Sequence, residues 1–198
     1  GERVNFTITP FATKIDDFIL IEPTGIRQTI RGNFQVWEYR QTQAQMYGLD
    51  LDANLSLTDN VRFVHQFSLV KGYDKTSNEP LISMPAANTL NSLVYTNPNF
   101  NNISIAIQSN YVFRQNEFPN TNFEVVLPDS IQTVDISTPP SGYHLLNLNI
   151  TAAIRPDMQV GLYVNNLLNT SYRNYLNRLR YYADDVGRNI TLQLKYNY

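Results

Sequence analysis

An all-β, antiparallel, up-and-down sheet that crosses a bilayer as a transmembrane β-barrel is predicted by three features of this 198-residue chain. Apolar and polar residues alternate with period two along most of its length, and helical spacing is nearly absent. The runs between turns exceed the roughly 5–6 residues of a globular strand and reach the about 9–11 that a tilted strand needs to cross hydrocarbon. Short polar turns alternate strictly with long connections, which puts every short turn at one end of the sheet and every long loop at the other.

Eight strands follow from this pattern. The first, 4–20, sets Val4, Phe6 and Ile8 against Asn5, Thr7 and Thr9. A long segment, 22–33, leads to the second, 34–57, where Tyr47, Leu49, Leu51, Ala53 and Leu55 alternate with Gly48, Asp50, Asp52 and Asn54. The short turn Thr58-Asp59-Asn60 opens the third, 60–71, whose apolar phase of Val61, Phe63, Phe67 and Leu69 also contains His65. After 72–87 the fourth strand, 88–97, carries apolar residues on both faces. The turn from Asn97 to Asn102 opens the fifth, 102–115, with Ile103, Ile105, Ile107, Ser109, Tyr111 and Phe113 in one phase. The long segment 116–141 precedes the sixth strand, 142–154. Arg155-Pro156-Asp157 turns into the seventh, 158–167, and segment 168–186 leads to the last, 187–198. The Asn, Gln, Asp, Ser and Thr phase suits a wet lumen, and the apolar phase suits lipid.

Composition narrows the function. Net charge is −2 and charged residues make up 16%, so nothing points to nucleic acid as a partner. Cysteine is absent, which removes disulfides, thiol nucleophiles and cysteine metal sites. No run of about 18 apolar residues exists to form a spanning helix, a test that barrel strands evade. His65 and His144 stand singly on strands and read as wall residues. Asp16-Asp17 and Asp184-Asp185 read as solvated loop acids. Asp50 and Asp52 share the lumen phase, about 7 Å apart, and fit a polar channel lining better than acid–base chemistry. No enzyme, cofactor or metal site is expected. Gly48 faces the lumen beside them, where a missing side chain lets something approach the wall closely or lets the strand bend, and bending is the preferred reading.

The chain ends "RNITLQLKYNY", with Ile190, Leu192, Leu194, Tyr196 and Tyr198 in one phase. An aromatic last residue preceded by alternating apolar positions resembles the signal read by the outer-membrane barrel assembly machinery. Tyr196 and Tyr198 would also suit the aromatic girdle at the lower interface.

Two stretches carry a resemblance to the TonB-dependent outer-membrane receptors. In 160–198 the elements are Asn166-Leu167-Leu168, Asn169-Thr170, Ser171-Tyr172, Gly187-Arg188 and the final strand, with Val186 where proline usually precedes Gly-Arg. In 39–95 they are Ala44, Gly48 and Asp50, then Pro80-Leu81 and Met84-Pro85. The resemblance implies that residues 1–198 are a C-terminal segment of a 22-stranded barrel, without the plug domain and the early strands. Gly-Glu-Arg at the start, with no initiator Met, agrees with a fragment.

The same resemblance implies active uptake of a scarce, bulky nutrient across the bacterial outer membrane, energised through TonB acting on the plug. The ligand class expected is a ferric siderophore or similar chelate. Clustered cations and rings in 168–186 suit such anions, and Arg173, Arg178, Arg180, Tyr181 and Tyr182 are the candidate contacts. Asp50, Asp52 and Arg188 are expected in the lumen wall, with Arg188 a candidate partner for either acid. Asn165 and Asn166 are expected to cap the turn into 168–186. Two other classes fit the alternation: a small eight-stranded outer-membrane barrel with a structural or adhesive role, and a soluble β-sandwich that binds carbohydrate. Leu148, Ile150, Leu192 and Leu194 sealed inside a compact body would favour the sandwich.

Overall fold

The computed structural model describes residues 3–119, 122–127, 130–135 and 138–197. Its strands are β1 (Val4–Thr29), β2 (Gly32–Ser56), β3 (Val61–Asp74), β4 (Asn88–Asn97), β5 (Ile103–Val112), β6 (Asn122–Leu127), β7 (Ser130–Asp135), β8 (Tyr143–Arg155), β9 (Met158–Asn165) and β10 (Asn189–Tyr196). Eight of them form one antiparallel sheet in the order β1-β2-β3-β4-β5-β8-β9-β10, while β6 and β7 form a hairpin of their own. Each neighbour in the sheet is next in sequence once that hairpin is set aside, which is the up-and-down topology expected.

The register carries the alternation across the sheet. Asp50 faces Ser68, and Ser68 faces Asn88. Leu51 faces Ile8 and Phe67. Antiparallel partners share a face, so polar residues gather on one side and apolar residues on the other. The apolar side has no second layer. Ile190, Leu192, Leu194 and Tyr196 are 65, 76, 62 and 61% exposed. The buried hydrophobics among the described residues are Leu20, Ala44, Leu81, Val164 and Tyr175. A soluble sandwich would bury its apolar face against another sheet; here that face is open and the sandwich reading fails. A closed eight-stranded barrel fails too, because β1 and β10 lie at opposite ends of the sheet.

Aromatic residues mark two levels on the apolar side. Tyr95, Phe100 and Tyr196 sit at the short-turn end, and Tyr47, Tyr73, Tyr111 and Phe113 toward the other. Tyr47 stacks on Tyr73 with centroids 6.0 Å apart, and Tyr111 meets Phe113 edge-on at 4.8 Å. Tyr198 lies outside the described residues. The short turns are self-supporting. Thr58 Oγ1 accepts from the amides of Asn60 and Val61, and Asn97 Oδ1 accepts from that of Asn99. Asn101 and Asn102 take positive φ values of 52° and 46°, a conformation asparagine tolerates.

Two long connections differ from expectation. Segment 22–33 is not irregular. β1 and β2 remain paired to a two-residue turn at Ile30-Arg31, closed by Gly32 at φ 126°. Irregularities fall between Ile15 and Phe18 and between Pro23 and Gly25, and the ladder resumes after each. Asp16-Asp17 is thus a bulge within a strand, with Asp17 at φ 56°. Pro10 pairs with Leu49 without interrupting the ladder, and Pro23 stands at the second irregularity, a place where proline is tolerated in a sheet. Segment 116–141 contains the β6–β7 hairpin, with Leu127 facing Ser130.

The lumen wall and the loop-built mouth

Gly48 lies in the lumen wall beneath an aromatic ring. Its register partner on β1 is Phe11, and a Cβ at Gly48 would come within 2.4 Å of the Phe11 ring and 2.2 Å of the Leu69 carbonyl oxygen. The glycine therefore serves a close approach, by this chain's own Phe11 and by the β3 backbone.

Further along the wall, Asp50 accepts from Ser68 Oγ at 2.7 Å and Asp52 from Gln66 Nε2 at 2.8 Å. The second oxygen of each carboxylate has no protein partner among the described residues. With Thr9 and Asn110 they line a polar hollow of about 460 Å³. Arg188 is not their partner. It sits just before β10, six places along the sheet from β2, or about 29 Å at a strand spacing near 4.8 Å. Its backbone N–H is instead accepted by Asn169 Oδ1 at 2.9 Å. His65 and His144 are held by side chains on neighbouring strands: His65 Nδ1 lies 2.7 Å from Asn91 Oδ1, and His144 Nε2 lies 2.8 Å from Ser109 Oγ. Among the described residues no group of three or more His, Asp or Glu could hold a metal ion.

Above the upper aromatic level the wall is clamped. Arg40 makes a two-pronged contact with Glu22, Nε to Oε1 at 2.7 Å and Nη2 to Oε2 at 3.1 Å, and Nη2 reaches Asp74 Oδ2 at 2.6 Å. Asp74, 2% exposed, also accepts from Thr42 Oγ1 and from the Thr76 amide. Burial pushes this carboxyl up, but bonds from Thr42, Arg40 and Thr76 outweigh it and hold it well below the usual carboxylate range. The clamp is thus complete above a pH of about 4 and is lost only as pH falls through the lowered value. Asp74→Asn is expected to weaken the clamp by about 1–3 kcal/mol, the exposed ends of Arg40 and Glu22 keeping the figure modest. Faster amide exchange across 72–81, with β5–β8 unchanged, is the readout.

The clamp anchors the β3–β4 loop, 75–87, which folds back over the lumen side of the sheet. Leu81 donates its amide to Gly72 O at 2.9 Å, and Asp74 donates to Glu79 O at 2.9 Å. A Cβ on Gly72 would meet Leu81 Cδ1 and Met84 Sδ, each at 2.9 Å, so this glycine is the seat of both side chains. Leu81 packs with Leu20 and Ala44, and Ile15, Phe18, Met46 and Met84 surround them. The Pro80-Leu81 and Met84-Pro85 pairs are thus the inward-turned part of the loop.

The β9–β10 loop is tied at both stems by asparagine. Asn166, φ 52° and 3% exposed, binds Thr170 through both ends of its side-chain amide, and its backbone N–H donates to Asn147 Oδ1. That fulfils the capping expectation for Asn166. Asn169 holds the far stem through Arg188. Between them Asn177 Oδ1 caps a single 3₁₀ turn, Arg178–Tyr181. Arg180 is 8% exposed and its guanidinium lies 4.6 Å from the Tyr175 ring centroid and 4.4 Å from that of Tyr181, while Nη1 donates to Tyr175 O. Arg173 donates to Asp184 at 2.6 Å and to Arg180 O at 2.9 Å. Hydrogen bonds from Ser171 and Arg173 hold the Asp184 carboxyl low. Arg178 extends across to β2, its guanidinium 5.3 Å from the Trp37 ring centroid. Tyr182 is 81% exposed.

Three loops therefore meet at the mouth. Gln115 donates to the carbonyls of Met84 and Pro85 at 2.9 and 3.1 Å. Tyr172 meets Tyr143 with ring centroids 4.5 Å apart and planes tilted by 38°. Pro85, Asn88, Gln115, Tyr143, Arg173 and Tyr175 line a cavity of about 170 Å³ between them. Burial raises the hydroxyl pKa of Tyr175 and Tyr172. Trp37, Gln115 and Tyr143 are not among the residues singled out from sequence. They lie far along the chain from the arginine-rich loop, and only the register brings them to it.

The TonB dependent receptor-like β-barrel model matches residues 1–167. The chain belongs to the TonB-dependent receptor β-barrel family. The barrels of this family lie in the outer membrane of Gram-negative bacteria. Solved structures share the fold. The copper transporter OprC aligns over 99% of this chain and 29% of its own, with TM-score 0.78 and 16% identity. The siderophore receptor PirA from Acinetobacter baumannii aligns over 99% and 30%, with TM-score 0.67 and 15% identity. The FrpB iron transporter from Neisseria meningitidis aligns over 99% and 29%, with TM-score 0.67 and 18% identity. The chain thus spans under a third of the length of each of these TonB-dependent receptor neighbours, as a segment of a larger barrel. No curated protein sequence matches it.

Proposed function

We propose that this chain forms the C-terminal wall and part of the external mouth of a receptor that imports an anionic metal chelate, a ferric siderophore or similar compound. Energy would come from TonB acting on a plug encoded outside this segment. The observation that carries the reading is the joined mouth, in which Arg178 lies over Trp37 and Tyr182 of the same loop stands exposed. A cation on an aromatic face and an exposed phenol ring suit an anionic, ring-bearing ligand by charge and stacking. In this reading Arg178, Tyr182 and Trp37 contact ligand, while Arg173, Arg180 and Tyr181 hold the loop in shape. The names of neighbours that carry copper, iron or siderophores support the same ligand class.

The tail Ile190, Leu192, Leu194, Tyr196 and Tyr198 would serve the barrel assembly machinery, and outer-membrane lipid would cover the apolar face. Growth of a receptor-deleted strain on single iron sources, complemented by the full-length gene, tests the reading. Arg178→Ala is expected to weaken binding of the chelate by about tenfold, the 1–2 kcal/mol of a partly desolvated cation–π contact. Rescue of growth by haem, a cobalamin or a glycan, and by no ferric chelate, would refute the assigned class.

A further inference from the structure

The cavity between the three loops has a size and a lining that narrow what can enter it. Asn88 on β4, Val112 on β5 and Tyr143 on β8 pair side by side and form its floor. Asn88 also pairs with Ser68, whose partner is Asp50, so this floor belongs to the lumen phase. Pro85 closes one side, and Leu176 comes from the β9–β10 loop. Asn88 lines the polar hollow of Asp50 and Asp52 as well, so the two spaces are neighbours on the inner wall. The cavity measures about 170 Å³. A space of about 150 Å³ takes one benzene ring, so this one holds a single six-membered ring and not the bulk of a chelate.

Two polar side chains of the floor are free. The Asn88 amide and the Tyr143 hydroxyl have no hydrogen-bond partner among the described residues. No buried side-chain polar atom there lacks a partner, so both free groups are open to an incoming molecule. Arg173 is the one charged residue of the described lining, and it is committed to Asp184 and to Arg180 O. An anionic group would therefore find no free cation in this cavity. A sugar ring carries hydroxyls around its whole edge and would leave most of them unpaired against Pro85, Val112 and Leu176, which is costly. An aryl ring with oxygens on one edge lays its carbon edge on those residues and its oxygens on Asn88 and Tyr143.

We infer that this cavity receives one oxygen-bearing aryl ring of the imported chelate, with the Asn88 amide and the Tyr143 hydroxyl donating to the ring oxygens. The inference rests on the function proposed above and adds which part of the ligand enters the wall. The charged part of the chelate stays outside the cavity, toward Arg178. The cavity thus selects aryl-bearing chelates over ring-free anions.

The test uses the full-length receptor in detergent. Titration with 4-fluorocatechol, followed by fluorine NMR, is expected to show binding with a Kd on the order of 1 mM, the scale of a small fragment. Ala86→Phe places a ring in the cavity and is expected to abolish that binding. Tyr143→Phe keeps the shape, removes the hydroxyl, and is expected to weaken binding by about threefold to tenfold. Amide exchange across 168–186 checks that the loop stays folded in each variant. No binding by the unaltered receptor, or binding unchanged in both variants, would overturn the inference. In the growth assay above, rescue by ferric citrate, an anion without a ring, and by no aryl chelate would overturn this inference and leave the proposed function standing. Rescue by no ferric chelate would overturn both.

Discussion

Replacing Leu192 with arginine is expected to destabilise the folded receptor by about 2–4 kcal/mol, the cost of a cation on the lipid face within the hydrocarbon. Leu192 is 76% exposed on the apolar face of β10, four residues above Tyr196 at the lower aromatic level. The adjacent Gln193 points to the lumen phase, where it accepts from Tyr163 Oη at 3.1 Å. Gln193→Arg is therefore expected to cost within about 1.5 kcal/mol, the worth of that hydrogen bond. Urea unfolding of the full-length receptor in lipid vesicles measures both. Similar costs at the two positions would mean that the faces of the sheet do not meet different solvents, and the membrane assignment of the apolar phase would fall.

Gly48→Ala is expected to be the most damaging single methyl in the wall. The added Cβ would stand 2.2 Å from the Leu69 carbonyl oxygen, a backbone atom that cannot rotate away. Overpacking of this kind costs about 1–3 kcal/mol. Shrinking the ring above it, Phe11→Leu, is expected to recover only part of the loss, because the carbonyl remains. Gly25→Ala gives the contrast. Nothing lies within 4 Å of a Cβ there, so the change is expected to be neutral or to stabilise by about 0.4–1 kcal/mol through the unfolded chain. Chevron or equilibrium unfolding separates the three. Full recovery in the Phe11→Leu background would show that the ring alone needs the glycine.

Period-two alternation made eight strands legible because each strand has one wet and one oily face, and the register of Asp50, Ser68 and Asn88 shows that alternation kept across neighbours. What it could not show was pairing beyond the bilayer, where no oily face is required. Segment 22–33 reads as a loop, yet the ladder absorbs an irregularity between Pro23 and Gly25, and the β1–β2 ribbon runs on to Thr29 and Gly32. The β6–β7 hairpin escaped notice because Val125, Val126 and Leu127 run together without alternation. The arginine-rich loop was visible in composition. Its division into buried Arg180, ion-paired Arg173 and outward-reaching Arg178 was not, since Trp37 and Tyr175 decide it through space. The supposed partnership of Arg188 with Asp50 or Asp52 failed for the same reason: distance in a sheet is counted in strands.

The β1–β2 ribbon is, in mechanical terms, a braced arm. Its 26-residue and 25-residue strands are longer than any bilayer crossing requires, and beyond Ala44 their pairing runs on without β3. The Arg40 clamp braces its base. Arg178, from the loop before β10, reaches Trp37 farther out, so a second tie holds the arm to the mouth.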